Sequence, residues 1–344
     1  MIWGENGSGK TSILEAVHTL SMGKSFRTHM QKNLIKNGEQ GYLVQGSFSI
    51  QQFKSTVATE LKKKGVSKTK INGKKILNRK ELIGINTVVV LSPEEQNITK
   101  GGPSERRKFF DKLFSMVSGK YIDVLQNYNR ALKQRNAALS ISKDQSFLTE
   151  SFFDWNEPLA TYGAKVWKIR KELIKDFQKD LALIIKKYDD GIIIDLDYVC
   201  LGFEKDIFVD NLVNTKQKDI KYKTTNIGPH RDNVSIKFNG KKIRVFGSQG
   251  EHKISLVLLK LAEVVFIKNK TGKYPMLLLD DVFAKLDLDR SRNLVRLISE
   301  LEIESGEQLQ TIVTTTDIVD IQKSGMFDTE KETVTHKLER KCST

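Results

Sequence analysis

Apolar residues along this chain recur in several rhythms, each ended by a local breaker. Ile13, Leu14, Val17 and Leu20 share one face of a 3.6-residue repeat, which predicts a helix directly after Thr11. Phe53, Ser55, Val57, Thr59 and Leu61 then alternate in the period of a strand. With Lys64-Gly65 and Ile71-Asn72-Gly73-Lys74 they predict short antiparallel strands joined by tight turns, Asn-Gly being the favoured type I′ pair. Val88-Val89-Val90-Leu91 is a continuous apolar run closed by Ser92-Pro93, as expected of a buried central strand.

The period lengthens after the loop Gly101-Gly102-Pro103-Ser104. One helix turns Phe109, Phe110, Leu113, Met116 and Val117 inward, and a second Tyr121, Leu125, Tyr128, Leu132 and Leu139. A long third helix carries Leu159, Tyr162, Val166, Ile169, Leu173, Phe177, Leu181 and Ile184, with many lysines on its outer positions that read as a solvated face. Beyond this arm an unusually apolar helix runs from Ile254 to Ile267. The buried parallel strand Met276-Leu277-Leu278-Leu279 follows, and a short strand runs from Thr311 to Thr316-Asp317. The chain thus divides into a first α/β part (1–100), an inserted helical arm with its connecting segment (101–224) and a second α/β part (225–344).

Composition narrows the class. With 344 residues, 39% hydrophobic and 29% charged, the chain can build a substantial core and is not a disordered polymer. Two cysteines, Cys200 and Cys342, make neither a disulfide framework nor a zinc site. The absence of a long apolar run and of a leader pattern points to a reducing cytoplasm and away from a membrane. The net charge of +15 favours a polyanionic partner such as nucleic acid. Lys62, Lys63, Lys64, Lys68, Lys70, Lys74, Lys75, Arg79 and Lys80 form a run without an acidic residue. Such lysines can reach phosphates without reading bases. They equally suit a solvated edge that discourages strand pairing.

The chemistry is concentrated in a few short motifs. Gly4-Glu5-Asn6-Gly7-Ser8-Gly9-Lys10-Thr11 matches the phosphate-binding loop G-x-x-x-x-G-K-[ST]. Its glycines let backbone N–H groups turn inward, Lys10 reaches the β- and γ-phosphates, and Thr11 offers its hydroxyl to Mg²⁺. The loop opens a helix whose N-terminal dipole and unpaired N–H groups also favour an anion. Asp280 and Asp281 end a buried strand, where ligands sit in open α/β sheets. Asp280 is assigned to Mg²⁺ through water, and Asp281 to orienting or deprotonating the attacking water. Ser248 and Gly250 open the apolar helix and make a second phosphate-sized site, although alone they also suit an ordinary cap. Gly228-Pro229-His230-Arg231-Asp232 is a tight turn whose histidine reads as structural. The turn Ala284-Lys285-Leu286-Asp287 and the strand ending in Thr316-Asp317 complete a set of strand ends converging on one nucleotide.

In this order the motifs resemble the ATP-binding-cassette heads of the SMC-type ATPases and, within them, the RecF family of bacterial recombination mediators. Further residues carrying the likeness are Gly23-Lys24-Ser25-Phe26-Arg27-Thr28, Ser92-Pro93-Glu94, Gly102-Pro103-Ser104-Glu105-Arg106-Arg107, Ser248-Gln249-Gly250-Glu251 and Leu279-Asp280-Asp281-Val282. The resemblance implies an α/β fold: an ABC-type P-loop ATPase head, with a mixed sheet and flanking helices, into which the helical arm is inserted. It also implies ATP and Mg²⁺ as cofactors and an ATP-dependent homodimer. In that dimer Ser248 and Gly250 of one copy close over the γ-phosphate held by the other copy's loop, and Asp287 faces the dimer. Thr316-Asp317 stands where transporter heads place a switch histidine. Gapped, duplex and single-stranded DNA, RecO, RecR and RecA are the implied partners.

The N-terminus departs from the family. The resemblance implies two antiparallel strands and the loop's own strand ahead of the phosphate loop, and their absence here would leave a sheet edge unpaired and remove part of the adenine pocket. The expectation is a start placed too far downstream, with a disabled protein as the alternative. A transporter domain would carry Leu-Ser-Gly-Gly-Gln and a switch histidine, and a chromosome-organising SMC protein far longer helices. The remaining choice is between a weak, DNA-stimulated ATPase and a catalytically inactive ATP-dependent scaffold.

Overall fold

The computed structural model describes residues 1–28, 30–50, 53–63, 65–141, 154–283, 288–305, 309–326 and 333–339. Lys64, the turn 284–287 with Asp287, and Cys342 lie outside the described residues. In chain order the strands are β1 (Ile2–Gly4), β2 (Gly41–Ile50), β3 (Phe53–Lys62), β4 (Lys68–Ile71), β5 (Lys74–Lys75) and β6 (Val88–Leu91). They continue with β7 (Ile194–Val199), β8 (Asn233–Phe238), β9 (Lys241–Lys242), β10 (Met276–Asp280), β11 (Thr311–Thr315) and β12 (His336–Leu338). The chain forms two compact units. One comprises Met1–Gln96, Ile184–Asp190 and Leu256–Thr344, the other Asn97–Leu183 and Gly191–Ser255.

The first unit contains a parallel sheet in the order β12-β1-β11-β10-β6. Leu277, Leu278 and Leu279 of β10 are fully or almost fully buried, because a parallel strand flanked by neighbours and covered on its faces has no solvent side. Helix Lys10–Met22 packs against β1, β6, β10 and β11, with Leu14 at zero exposure. One expectation changes: Val88–Leu91 is buried throughout, yet it lies at the end of the sheet and not at its centre. Its burial comes from faces covered by packing, which an apolar run records, whereas the number of hydrogen-bonded neighbours leaves no mark in such a run. The short β1 is an inner strand between β11 and β12.

The other sheet of this unit is antiparallel, in the order β2-β3-β4-β5. Its inner face packs Val57 with Leu20 and Leu82, and Val44, Phe48, Ile71 and Ile76 surround that cluster. Asn72 and Gly73 take φ of 50° and 80°, as a type I′ hairpin between β4 and β5 requires.

The second unit is built on helices Pro103–Val117 and Gly119–Ile141 and on the part of Asn156–Tyr188 up to Leu183, with the antiparallel sheet β7-β8-β9. Phe109, Phe110, Phe114, Tyr121 and Phe177 form its aromatic core through edge and tilted contacts. Among the described residues, no helix is long and apolar enough to cross a membrane.

Candidate nucleotide site

The loop leaves β1 and curls into helix Lys10–Met22. Gly7 and Gly9 take φ of 84° and 98°, a region that L side chains rarely adopt, so glycine is needed for the backbone path itself. Gly4 is held by proximity, since a Cβ there would stand 2.2 Å from the Leu338 carbonyl oxygen. Glu5, Asn6 and Gly7 are exposed at the tip, and the Ser8 N–H donates back to the Glu5 carbonyl at 3.2 Å. The helix starts with no side-chain cap and no acid in its first turn, which leaves its N-terminal N–H groups and dipole available to an anion.

Lys10 is buried, and its ammonium donates to the carbonyls of Gly4 (2.7 Å) and Glu5 (2.9 Å). An ammonium has three N–H donors, so one remains for a phosphate oxygen. Ser8 Oγ is buried with no hydrogen-bond partner among the described residues, which is a poor arrangement unless an acceptor or donor arrives. Both observations fit a triphosphate.

Side chains also converge on Asp280. Thr11 Oγ1 donates to Asp280 Oδ1 at 2.9 Å, and the fully buried Thr314 donates to the same oxygen at 2.7 Å. The first turn of helix Lys10–Met22 and the C-terminal ends of β11 and β10 therefore meet at one carboxylate. Mg²⁺ is commonly held by one or two protein side chains together with phosphate oxygens and water, so Thr11 and Asp280 fit it without a larger acidic cage. Asp281 has φ of 52°, unusual for a residue other than glycine, and its N–H donates to the Thr314 carbonyl at 3.1 Å. Strain of this kind persists where surrounding contacts over-determine it, commonly at functional positions.

Two motifs that sequence reasoning left without a role converge beside this helix. Ser25 Oγ donates to Glu15 and accepts from the N–H groups of Arg27 (2.9 Å) and Thr28 (3.0 Å). The Arg27 guanidinium lies 3.8 Å from Glu15 and 3.9 Å from Glu94, joining the segment after the loop helix to the segment after β6. Asp317 caps helix Ile318–Lys323 through the Val319 N–H at 2.8 Å.

Ser248 and Gly250 belong to the second unit. Ser248 is exposed and caps helix Gln249–Thr271: its Oγ accepts from the Glu251 N–H at 3.2 Å, while its own N–H donates to the Glu251 carboxylate at 2.6 Å. This reciprocal pair is a capping box. Backbone and side-chain hydrogen bonds from Ser248 hold the Glu251 carboxyl below its ordinary range. Val245 and Phe246, just before it, are each 67% exposed.

The Gly228–Asp232 turn is a buried hub of the same unit. The Asp232 carboxylate accepts from Trp167 (3.0 Å), Arg170 (2.9 Å) and Tyr198 (2.5 Å), and Arg170 also reaches Asp111. His230 Nε2 faces the Thr225 carbonyl at 2.9 Å and Nδ1 faces the Tyr128 hydroxyl at 2.5 Å. A carbonyl only accepts, so Nε2 carries the proton and Nδ1 accepts from the phenol. Burial pushes this imidazole down to about 4, with Arg231 and Arg107 adding to the effect, so it is neutral and structural at physiological pH. Arg135 and Asp219, both fully buried, pair at 2.7 Å next to it. Long-range side-chain pairs such as these, and the role of Thr314, have no local signature in the sequence.

A family model described as the RecF/RecN/SMC N terminal domain matches residues 1–339. The DNA replication and repair protein RecF of Natranaerobius thermophilus is 34% identical over 337 residues, spanning 93% of this chain and 86% of that protein. The RecF protein of Clostridioides difficile is 35% identical over 318 residues, or 88% and 83% of the two chains. A solved structure of the recombination mediator protein RecF with ATP in the RecFOR pathway superposes with a TM-score of 0.83 at 30% identity, covering 92% of this chain and 85% of that one. An Smc head bound to the C-winged helix domain of ScpA shares the fold at 19% identity and a TM-score of 0.51. The chain therefore belongs to the RecF family and carries the ABC-type ATPase head fold that this family shares with the SMC proteins.

Proposed function

We propose that this chain is an ATP-dependent DNA-binding switch of recombinational repair and replication restart, acting in the cytoplasm. The observation that carries the reading is the convergence of Thr11 and Thr314 on Asp280 beside the glycine loop. Lys10 and the loop N–H groups grip the β- and γ-phosphates, Thr11 and Asp280 hold Mg²⁺, and Asp281 orients the attacking water. When bound, the cation would neutralise phosphate charge during transfer. Ser248 and Gly250 of a second copy close over the γ-phosphate, exchanging the Glu251 carboxylate for phosphate oxygens at the Ser248 N–H. ATP thereby joins two copies until hydrolysis separates them.

The family membership supports DNA as the substrate, and the relative named for the RecFOR pathway supports RecO and RecR as partners; helping to load RecA is the task we assign to them. The +15 charge supports binding to gapped, duplex and single-stranded DNA. Turnover is slow and rises with DNA. The test is phosphate release by the full chain with and without gapped DNA: Lys10→Ala abolishes it, and unchanged turnover in that variant would refute the loop assignment. ATP-induced dimerisation with no phosphate release in the unaltered chain would instead identify an inactive scaffold.

A further inference from the structure

A groove of about 560 Å³ opens to solvent on the second unit along helix Asn156–Tyr188. Lys171, Lys175 and Lys179 line it at four-residue intervals, so their stems rise on one side of the helix about 6 Å apart. Its remaining surface is largely apolar, from Ala182 and the ring of Tyr198 with Gln178 between the lysines, and the buried Ile174 lies beneath it. Val199 and Leu201, in the chain directly after Tyr198, are 56% and 53% exposed. Lys179 is paired with Asp176 at 3.0 Å, whereas Lys171 and Lys175 have no ion-pair partner among the described residues.

The combination selects among polyanions. A nucleic-acid backbone has nothing apolar to bury against Ala182 and the Tyr198 ring, and Glu172 and Asp176 on the same helix would repel a line of phosphates. The antiparallel sheet is different: Lys68, Lys70 and Lys75 stand exposed on short strands, and Lys70 lies directly opposite Lys75. A short peptide can place an apolar side chain in the groove and carboxylates on the two unpaired lysines while avoiding the acids. Lysine stems add to the apolar wall and keep their charges at the rim.

We propose that this groove docks an acidic segment of a partner protein, with an apolar anchor against Ala182, Tyr198 and the lysine stems and carboxylates on Lys171 and Lys175. The site stands independently of the nucleotide reading. Its floor is anchored rigidly, because the Tyr198 hydroxyl donates to Asp232 in the buried hub.

The test uses the full chain and a fluorescein-labelled peptide of Asp and Glu flanking a Leu-Phe pair, read by anisotropy at low salt. The same peptide with Gly-Ser in place of Leu-Phe, and an oligothymidylate of equal charge, serve as the other arms. Binding should require the Leu-Phe pair, weaken with salt, and fall about tenfold or more in Lys171→Glu/Lys175→Glu, two exposed ionic contacts being reversed. Lys171→Arg/Lys175→Arg should retain it. Circular dichroism confirms that each variant is folded. The proposal is overturned by an unaltered chain that does not bind the peptide, by a Glu variant that binds it equally, or by an oligothymidylate that binds as well with the Leu-Phe pair irrelevant. The last result would give the groove to a nucleic-acid backbone.

Discussion

Replacing Thr314 by valine removes one hydroxyl and almost no volume from a position with no solvent exposure. That hydroxyl is one of two that donate to Asp280 Oδ1, at 2.7 Å, the other being Thr11 at 2.9 Å. A hydrogen bond to a charged group contributes about 1.5 to 3 kcal/mol, and a carboxylate that is 5% exposed cannot recover a lost donor freely from bulk water. Thr314→Val should therefore lower the unfolding free energy by about 2 kcal/mol. It should also weaken the Mg²⁺-dependent part of nucleotide affinity by about ten- to hundredfold, since the carboxylate is no longer fixed towards Thr11. The assay is titration of a fluorescent ATP analogue with Mg²⁺ and again with EDTA, alongside chemical denaturation. In EDTA the variant should bind as the unaltered chain does, because Lys10 and the loop are untouched, and Thr314→Ser should restore the Mg²⁺ effect. Equal Mg²⁺ dependence in the valine variant would refute the role given to this hydroxyl.

Two further outcomes are expected. His230 is neutral in the fold with its pKa depressed to about 4, so the unfolded chain takes up the proton first. Stability is full above about pH 6.5 and falls by about 3 kcal/mol on acidification towards pH 4, a loss that denaturation of His230→Gln should show flattened. On the antiparallel sheet, Lys70 and Lys75 face each other directly, an arrangement that costs stability unless an anion lies over it. Lys70→Glu/Lys75→Glu should weaken duplex binding and lower the log–log salt slope by about one per lost phosphate contact. An unchanged slope would remove this sheet from the DNA surface.

What the sequence made legible follows from how local each determinant is. The phosphate loop, the Asn72-Gly73 turn and the strand running into Asp280 depend on residues adjacent in the chain, and each forms as its residues require. The Ser248 cap is likewise local, being closed by Glu251 three residues on. The terminal place of Val88–Leu91 and the pairing of β1 with β12 depend on segments far apart in the chain, which periodicity does not encode. Thr314 reads as one hydroxyl at the end of a short strand, and only the register of β10 with β11 sets it opposite Asp280. The buried pairs Arg135–Asp219 and Tyr128–His230 were hidden in the same way, since each joins residues whose own neighbourhoods are ordinary helix or turn.

In the proposed dimer one triphosphate is gripped by Lys10 of one copy and Ser248 of another. Lys10→Ala and Ser248→Arg, each inactive alone, form mixed dimers containing one site with both residues intact. Phosphate release from an equimolar mixture should therefore reappear at a substantial fraction of the unaltered rate. A mixture that stays at the sum of its two inactive components, although mixed dimers form, would contradict the shared site.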